Sequence, residues 1–323
     1  MNDRRQQPYP PSTEPEPAGL TVDHEVGTSL LIGHRGRPLT RYVHRPWDAP
    51  LESPRPYFHP MRTLGGDLVS IYRPHDHIWH KGLALSLPNV GSENFWGGVT
   101  YRRGIGYAQY DNNGSMDHED FDELALTGGR LRVAERLRWH TQGGEPWFTE
   151  ARRFGVEVLP DEDAWVLLFE TAITNIRGTR TIFGSPTTEG RDNAGYGGLF
   201  WRGPRSFTGG TVHTPDATGT DELMGVRAPW LGFTGQHDDH GRSSTLAFVD
   251  GAGNEPGGDH VKWFVRSTPF ACVCPAPFFD REVVVEDGDT LIRRYAIVIA
   301  DGDRGSEGTA RLAATGAGLL AAY

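Results

Sequence analysis

Residues 151–176 read ARRFGVEVLPDEDAWVLLFETAITNI, two apolar-rich runs of strand length parted by Pro160, Asp161, Glu162 and Asp163. Proline presets the turn dihedral, and the short acids that follow tolerate turn geometry, so the segment is expected to fold as a β-hairpin. Residues 281–302, REVVVEDGDTLIRRYAIVIADG, repeat the plan around Asp287-Gly288, a strong hairpin signal. Residues 30–44, LLIGHRGRPLTRYVH, read as two more strands around a Gly-rich turn. In 130–140, RLRVAERLRWH, Leu131, Val133, Leu137 and Trp139 alternate with charged residues, though imperfectly. Helical periodicity is scarce. The tail 309–323, TARLAATGAGLLAAY, suits a short helix, and 118–126, HEDFDELAL, one turn or two. Many short strands without βαβ alternation predict an all-β protein, a large antiparallel β-sandwich. The sandwich is expected to fill residues 21–323 as one domain, after a disordered Pro/Glu-rich leader at 1–20.

Composition narrows the function classes. A formal charge of −10 over 323 residues opposes nucleic-acid binding, which needs a Lys/Arg excess to neutralise phosphates. It equally opposes a basic membrane-surface role. No run approaches the roughly 20 apolar residues of a membrane span, and the leader lacks the apolar core of a secretory signal. The two cysteines, Cys272 and Cys274, sit in an apolar C-x-C run and read as reduced, buried thiols of a cytoplasmic protein. Sites of phosphate cradling, dinucleotide binding and the G-x-S-x-G nucleophile elbow have no matching motif.

Four histidines, His59, His75, His77 and His80, fall within 22 residues, in RPYFHPMRTLGGDLVSIYRPHDHIWHKG (55–82). Prolines and glycines place them on loops and strand ends, among Tyr57, Tyr72 and Trp79. Imidazole titrates near neutrality and is the commonest metal ligand, so two roles are open. One histidine could be a general acid or base oriented by Asp76, or His59, His77 and His80 could bind a divalent metal. A second constellation spans 184–207, GSPTTEGRDNAGYGGLFWRGPRSF. Its Glu189, Arg191, Asp192, Asn193, Tyr196, Trp201 and Arg202 suit a polyhydroxylated ligand, with forked donors for hydroxyls and flat rings for a sugar face. Glu189 is the natural complement to the histidines if it faces them. In 259–279, DHVKWFVRSTPFACVCPAPFF, Lys262, Phe264 and Arg266 alternate with Val261, Trp263 and Val265, so one face could line a cleft. The H-D-D-H of His237 to His240 reads as a solvated hairpin tip between WLGF and TLAFVD.

These residues also resemble a family. The R-P-Y-x-H-P of Arg55 to Pro60, the D-H-x-x-H-x-G of Asp76 to Gly82 and the E-G of Glu189-Gly190 are similar to the PmoA-like family, DUF6807. So are APWLGFTG, STLAFVD, the strand around Trp263 and PFFD, and the resemblance runs from about Tyr42 to about Asp301. It implies a bacterial β-sandwich, in outline like the supersandwich of aldose 1-epimerases, encoded near sugar-oxidising dehydrogenases and sugar catabolic genes. The methane oxygenase label that many members carry does not fit, since that subunit spans a membrane. Carried over residue by residue, the pattern supports His59, His77, His80 and Glu189 as the site, framed by Arg55 and Tyr57. After Glu189 the wording departs from the family's usual run, and Arg191 and Tyr196 lie inside that departure.

The expected function is a carbohydrate-active enzyme of lyase, epimerase or hydrolase type, acting on a sugar or oxidised sugar. His77 or His80 would move a proton at a ring or glycosidic oxygen, with Glu189 as the complementary base and His59 in support. Arg55, Tyr57, Asp76, Trp79, Arg191, Tyr196, Trp201, Trp263 and Arg266 would bind substrate. The partner is a small-molecule carbohydrate, with no nucleic acid, no membrane and no cofactor. Two alternatives stand beside this: a metal-dependent sugar lyase or hydrolase using the histidines as ligands, and a non-catalytic sugar-binding module.

Overall fold

The computed structural model describes residues 19–323; all but the last two residues of the 1–20 leader lie outside them. Two large antiparallel sheets face each other. The first has eleven strands, its main path running Leu20–Glu25, Ser29–His34, Arg37–Val43, Tyr57–Met61, Leu83–Val90, Gly198–Arg202, Cys272–Ala276 and Lys262–Arg266. The second has nine, in the order Thr218–Gly219, Thr211–His213, Trp230–Gln236, Ser243–Asp250, Thr290–Asp301, Ala164–Asn175, Pro146–Leu159, Arg130–His140 and Ser115–Thr127. The fold is therefore all-β, a large antiparallel sandwich, as the alternation and turns predict. The 151–176 hairpin closes with Leu159 paired to Ala164, and the H-D-D-H segment is the tip between Trp230–Gln236 and Ser243–Asp250.

The interior is where the two sheets meet. Tyr42 of the first packs on Phe154 of the second at 4.6 Å, and Trp201 on Phe233 at 5.4 Å. The imperfect alternation of Arg130–His140 has a cause. Glu135 takes an inward position and is buried, where it accepts from the Tyr42 hydroxyl and lies 2.7 Å from His118 Nδ1. Beside it Arg152 grips Glu150 at 2.8 and 3.0 Å, and Trp139 and Thr171 donate to the same carboxylate. A buried charge costs little only when it is matched this fully.

Residues 118–126 correct the helical expectation, for they belong to the edge strand Ser115–Thr127. Against Arg130–His140 this strand carries two bulges, one skipping Asp122 and one skipping Glu119. Each extra residue shifts the period-2 pattern by one, which leaves Phe121 and Leu124 at a helix-like spacing. Glu119, Asp120 and Asp122 instead pair across the strands with Arg138 and Arg136.

Both sheets also have an outward face. Helix Gly305–Ala321 lies on that of the nine-stranded sheet, seating Leu312, Ala313 and Leu320 on Val166, Leu168, Ala247, Val249, Ala296 and Val298. A Cβ at Gly316 would stand 2.9 Å from Val298 Cγ2, so this glycine lets the helix approach. Among the described residues, the outward face of the eleven-stranded sheet has no helix. It carries a separate aromatic cluster built on Trp96, Phe200, Phe264 and Phe279.

Candidate functional site

Strand alternation decides which side chains reach that second face. In Gly198–Arg202, Trp201 points into the core while Phe200 and Arg202 point out. In Lys262–Arg266, Trp263 points in while Phe264 and Arg266 point out. Cys272 follows on the neighbouring strand. Around Phe200, Phe264, Arg266 and Cys272 the face opens into a cavity of about 460 Å³, closed on one side by His77, Trp79 and His80 and on the other by Tyr107, Arg191 and Tyr196. Volumes of roughly 300–1,000 Å³ with apolar walls and a few convergent polar groups are typical of small-molecule sites.

The loop 74–82 is fixed from behind. Arg55 is fully buried and uses its whole guanidinium as a brace: Nη2 donates to the Trp79 carbonyl at 2.7 Å, and the other nitrogens to Ser86, Glu52 and Ser53. Lys81, also buried, lies 2.9 Å from Asp48 and pairs with Glu52, which in turn takes two bonds from Arg73 at 2.9 Å. In front, the Trp79 indole lies flat on Gly97-Gly98. A Cβ at Gly98 would stand 2.7 Å from the ring, and its φ of +67° lies in the left-handed region that favours glycine.

The two pocket histidines are made unlike by their partners. Their rings stack, centroids 4.6 Å apart and planes at 10°. Arg202 Nη1 lies 2.8 Å from His80 Nδ1. A guanidinium can only donate, so Nδ1 is an acceptor and the His80 proton resides on Nε2, which has no partner among the described residues. Burial, with His77 and Arg202 adding positive charge nearby, holds the His80 pKa well below the ordinary imidazole value. His77 has an acid instead: its Nδ1 lies 3.6 Å from Asp76 Oδ2, beyond hydrogen-bond distance but close enough to feel the charge. Burial lowers its pKa too, but Asp76 opposes the shift. Asp76 is anchored by Arg202 at 2.9 Å and Arg205 at 3.3 Å.

On the opposite wall Arg191 donates to the Tyr107 hydroxyl, and the Tyr107 and Tyr196 hydroxyls are 2.9 Å apart. Arg191 and the two hydroxyls thus form one chain of polar groups along this wall. Burial pushes the Cys272 thiol up to about 12, so it is a neutral part of the floor.

The residues singled out from the sequence thus divide. His77, His80, Trp79, Arg191, Tyr196 and Arg266 line one cavity, and Asp76 reaches it through His77. Others are not brought there. Glu189 lies in a separate hollow with Glu93, Arg102 and Arg103, accepting from Arg103 N at 3.3 Å; the tight turn from Ser185 to Gly190 carries it there. The His–Glu pair is therefore not assembled. His59 turns to Ser70 Oγ at 2.8 Å and stacks on Tyr72. Among the described residues no three His, Cys, Asp or Glu side chains gather as a metal ion requires, so His59, His77 and His80 do not form the alternative metal set. Arg55 and Tyr57 are buried, the former a brace and the latter stacked on Tyr72 at 5.0 Å. Trp201 and Trp263 are core residues whose indole N–H groups donate to Val69 O and Ala228 O at 2.8 and 2.9 Å. Arg202, which the sequence suits to a polyhydroxylated ligand, instead orients His80 and anchors Asp76. Its signal is the alternation Phe200-Trp201-Arg202, which sends arginine to the face opposite tryptophan.

A family model described as a family of unknown function, DUF6807, matches residues 29–314. No functionally curated protein matches. Among solved structures, the GH36 α-galactosidase AgaB from Geobacillus stearothermophilus is similar at 10% identity and a TM-score of 0.42, covering 88% of this chain and 41% of that one. A raffinose-bound variant of the GH36 α-galactosidase AgaA from the same organism is similar at 8% identity and 0.42, covering 85% and 41%. Galactose 1-epimerase from Lactobacillus acidophilus NCFM is similar at 9% and 0.38, covering 88% and 100%. The chain spans about two fifths of the galactosidases' length.

Proposed function

The chain belongs to the DUF6807 family, whose function is unknown, and we propose from its own pocket that it is a carbohydrate-active enzyme moving a proton on an oxidised sugar. The observation that carries this is the unequal partnering of the stacked histidines. The Asp76 carboxylate, 3.6 Å from His77 Nδ1, favours the proton on that nitrogen by charge, which leaves the Nε2 lone pair for use as a base. With Nδ1 taken by Arg202, His80 presents Nε2–H, the donor that a developing oxyanion needs. Adjacent groups whose surroundings set them to opposite tasks are the pattern of acid–base catalysis.

In this reading the sugar ring lies against Trp79 and Trp96, its hydroxyls meeting the Tyr196 hydroxyl. His77 removes the proton from the carbon beside the carbonyl. The C–H electron pair becomes the new C=C bond, the carbonyl pair moves onto oxygen, and His80 Nε2–H holds that oxygen. Return of the proton to the other face gives an epimer; departure of a group one carbon further on, taking its bonding pair, gives elimination.

Proton NMR in heavy water with free sugars, glycosides and 3-keto-glycosides tests it. The expected result is deuterium incorporation beside a carbonyl, or a new product, lost in His77→Ala. Full exchange in that variant would sink the assignment. Saturable binding without exchange or turnover would make the chain a binding module.

A further inference from the structure

The charge of the cavity does not match the rest of the chain. The protein carries a formal −10, and its buried arginines elsewhere are matched: Arg152 with Glu150 at 2.8 Å, Arg202 with Asp76 at 2.9 Å, Arg55 with carbonyl oxygens. The cavity lining holds two more guanidinium groups, Arg191 and Arg266, and no carboxylate at all. Arg191 donates to a neutral hydroxyl, that of Tyr107, and lies 4.6 Å from that ring's centroid, so nothing there cancels its charge. Arg266 is half-buried and has no hydrogen-bond or ion-pair partner among the described residues; its guanidinium sits 5.6 Å from the Phe264 ring. The acids close by are already engaged, Asp76 by Arg202 and Arg205, and Asp221 by Ser267 N and by Thr268 N and Oγ1. A half-buried fork of N–H donors with no protein acceptor is free to meet a ligand that supplies one.

We propose that the ligand supplies that acceptor: the substrate is a carboxylated sugar, of uronic or aldonic acid type, with its carboxylate gripped by Arg266. This rests on the carbohydrate reading above. The two parallel N–H groups of guanidinium fit the two oxygens of a carboxylate. Around Arg266 the walls are Phe264, Pro269 and Phe270, which add no further donor of the sort a phosphate dianion recruits. Arg191, beyond the two tyrosines, raises the positive potential of the whole cavity and draws an anion toward it.

Calorimetric titration of the full chain with matched ligands tests this: glucose with glucuronate, galactose with galacturonate, and the two hexose 6-phosphates. The expected result is that a uronate binds about tenfold tighter than its neutral parent or more, with the margin shrinking as salt rises. In Arg266→Gln, checked for folding by circular dichroism, the uronate and neutral Kd values converge. In Arg266→Lys, which keeps the charge and loses the fork, part of the margin returns. A uronate that binds no better than its neutral parent overturns this inference and leaves the carbohydrate reading in place. Preference for the phosphates overturns the carboxylate assignment. Failure of every ligand to bind overturns the carbohydrate reading beneath it.

Discussion

On the outward side of the nine-stranded sheet the strands present Ala164, Val166, Leu168, Ala247, Val249, Ala296 and Val298; on that of the eleven-stranded sheet they present Phe200, Arg202, Phe264, Arg266, Cys272 and Cys274. Both sets follow from the same alternation, since the opposite side chains of these strands fill one shared core. The first set is short and aliphatic, so a helix can lie down on it, and Gly316 removes the last obstacle. The second set mixes rings with guanidinium groups, which no aliphatic helix could cover without stranding charge. Size and polarity of the outward residues, set strand by strand, decide which face is sealed and which receives a ligand.

That contrast can be broken in several ways. The largest effect expected is in His77→Ala, on the open face, which should lower kcat/KM by about 10²–10⁴ with the circular dichroism spectrum unchanged. Leu312→Ala, on the sealed face, should cost about 2–5 kcal/mol in urea unfolding and leave kcat/KM as it was. If the Leu312 variant lost activity in the folded state, the two faces would be coupled rather than independent.

Acid should act on stability through the buried histidines. Burial lowers His59 to about 4, and His44, packed between His24 and His118, to about 3. Unfolded imidazole titrates near 6.5. The unfolded chain therefore takes up protons that the folded one refuses, and stability falls as pH drops below 6.5 toward these values. Melting temperatures between pH 7 and 4 should show this, with a shallower fall in His59→Gln. For activity, the acid limb of the kcat/KM profile should lie below pH 6.5. Asp76→Asn should move it lower still, because the carboxylate is what raises His77.

The smallest effect belongs at the rim. Lys262 pairs with Asp280 at a partly exposed position, and Lys262→Ala should change unfolding free energy by under about 1 kcal/mol. A larger loss in denaturant titration would mean that the rim helps hold the open face together.

How far the sequence could be read follows from the same geometry. Hairpins such as 151–176 declare themselves, because turn chemistry and period-2 alternation are both local. The strand at 115–127 does not, because two bulges break its period. The histidine loop, Arg191, Tyr196 and Arg266 were legible as chemistry, and the structure brings His77, Trp79 and His80 into one cavity with these three. Glu189 was not, since one tight turn sends it to a different hollow. Trp263 is the instructive miss: the alternation that places Arg266 in the cleft places Trp263 behind it. Arg202, which gives His80 its direction, carries no motif. Its role appears only when strand Gly198–Arg202 is set beside the loop at residue 76.

The division of the tryptophans gives the pocket an optical consequence. Trp139, Trp165, Trp201 and Trp263 are sealed in the core, whereas Trp79 is half-exposed at the cavity wall with Trp96 beside it. The protein's ultraviolet emission is thus a sum of shielded indoles, which dissolved iodide or acrylamide cannot reach, and accessible ones, Trp79 together with the fully open Trp47. A ligand seated on Trp79 would move that indole from the second group to the first. Occupancy could then be followed by quenching, on the native chain and without a label.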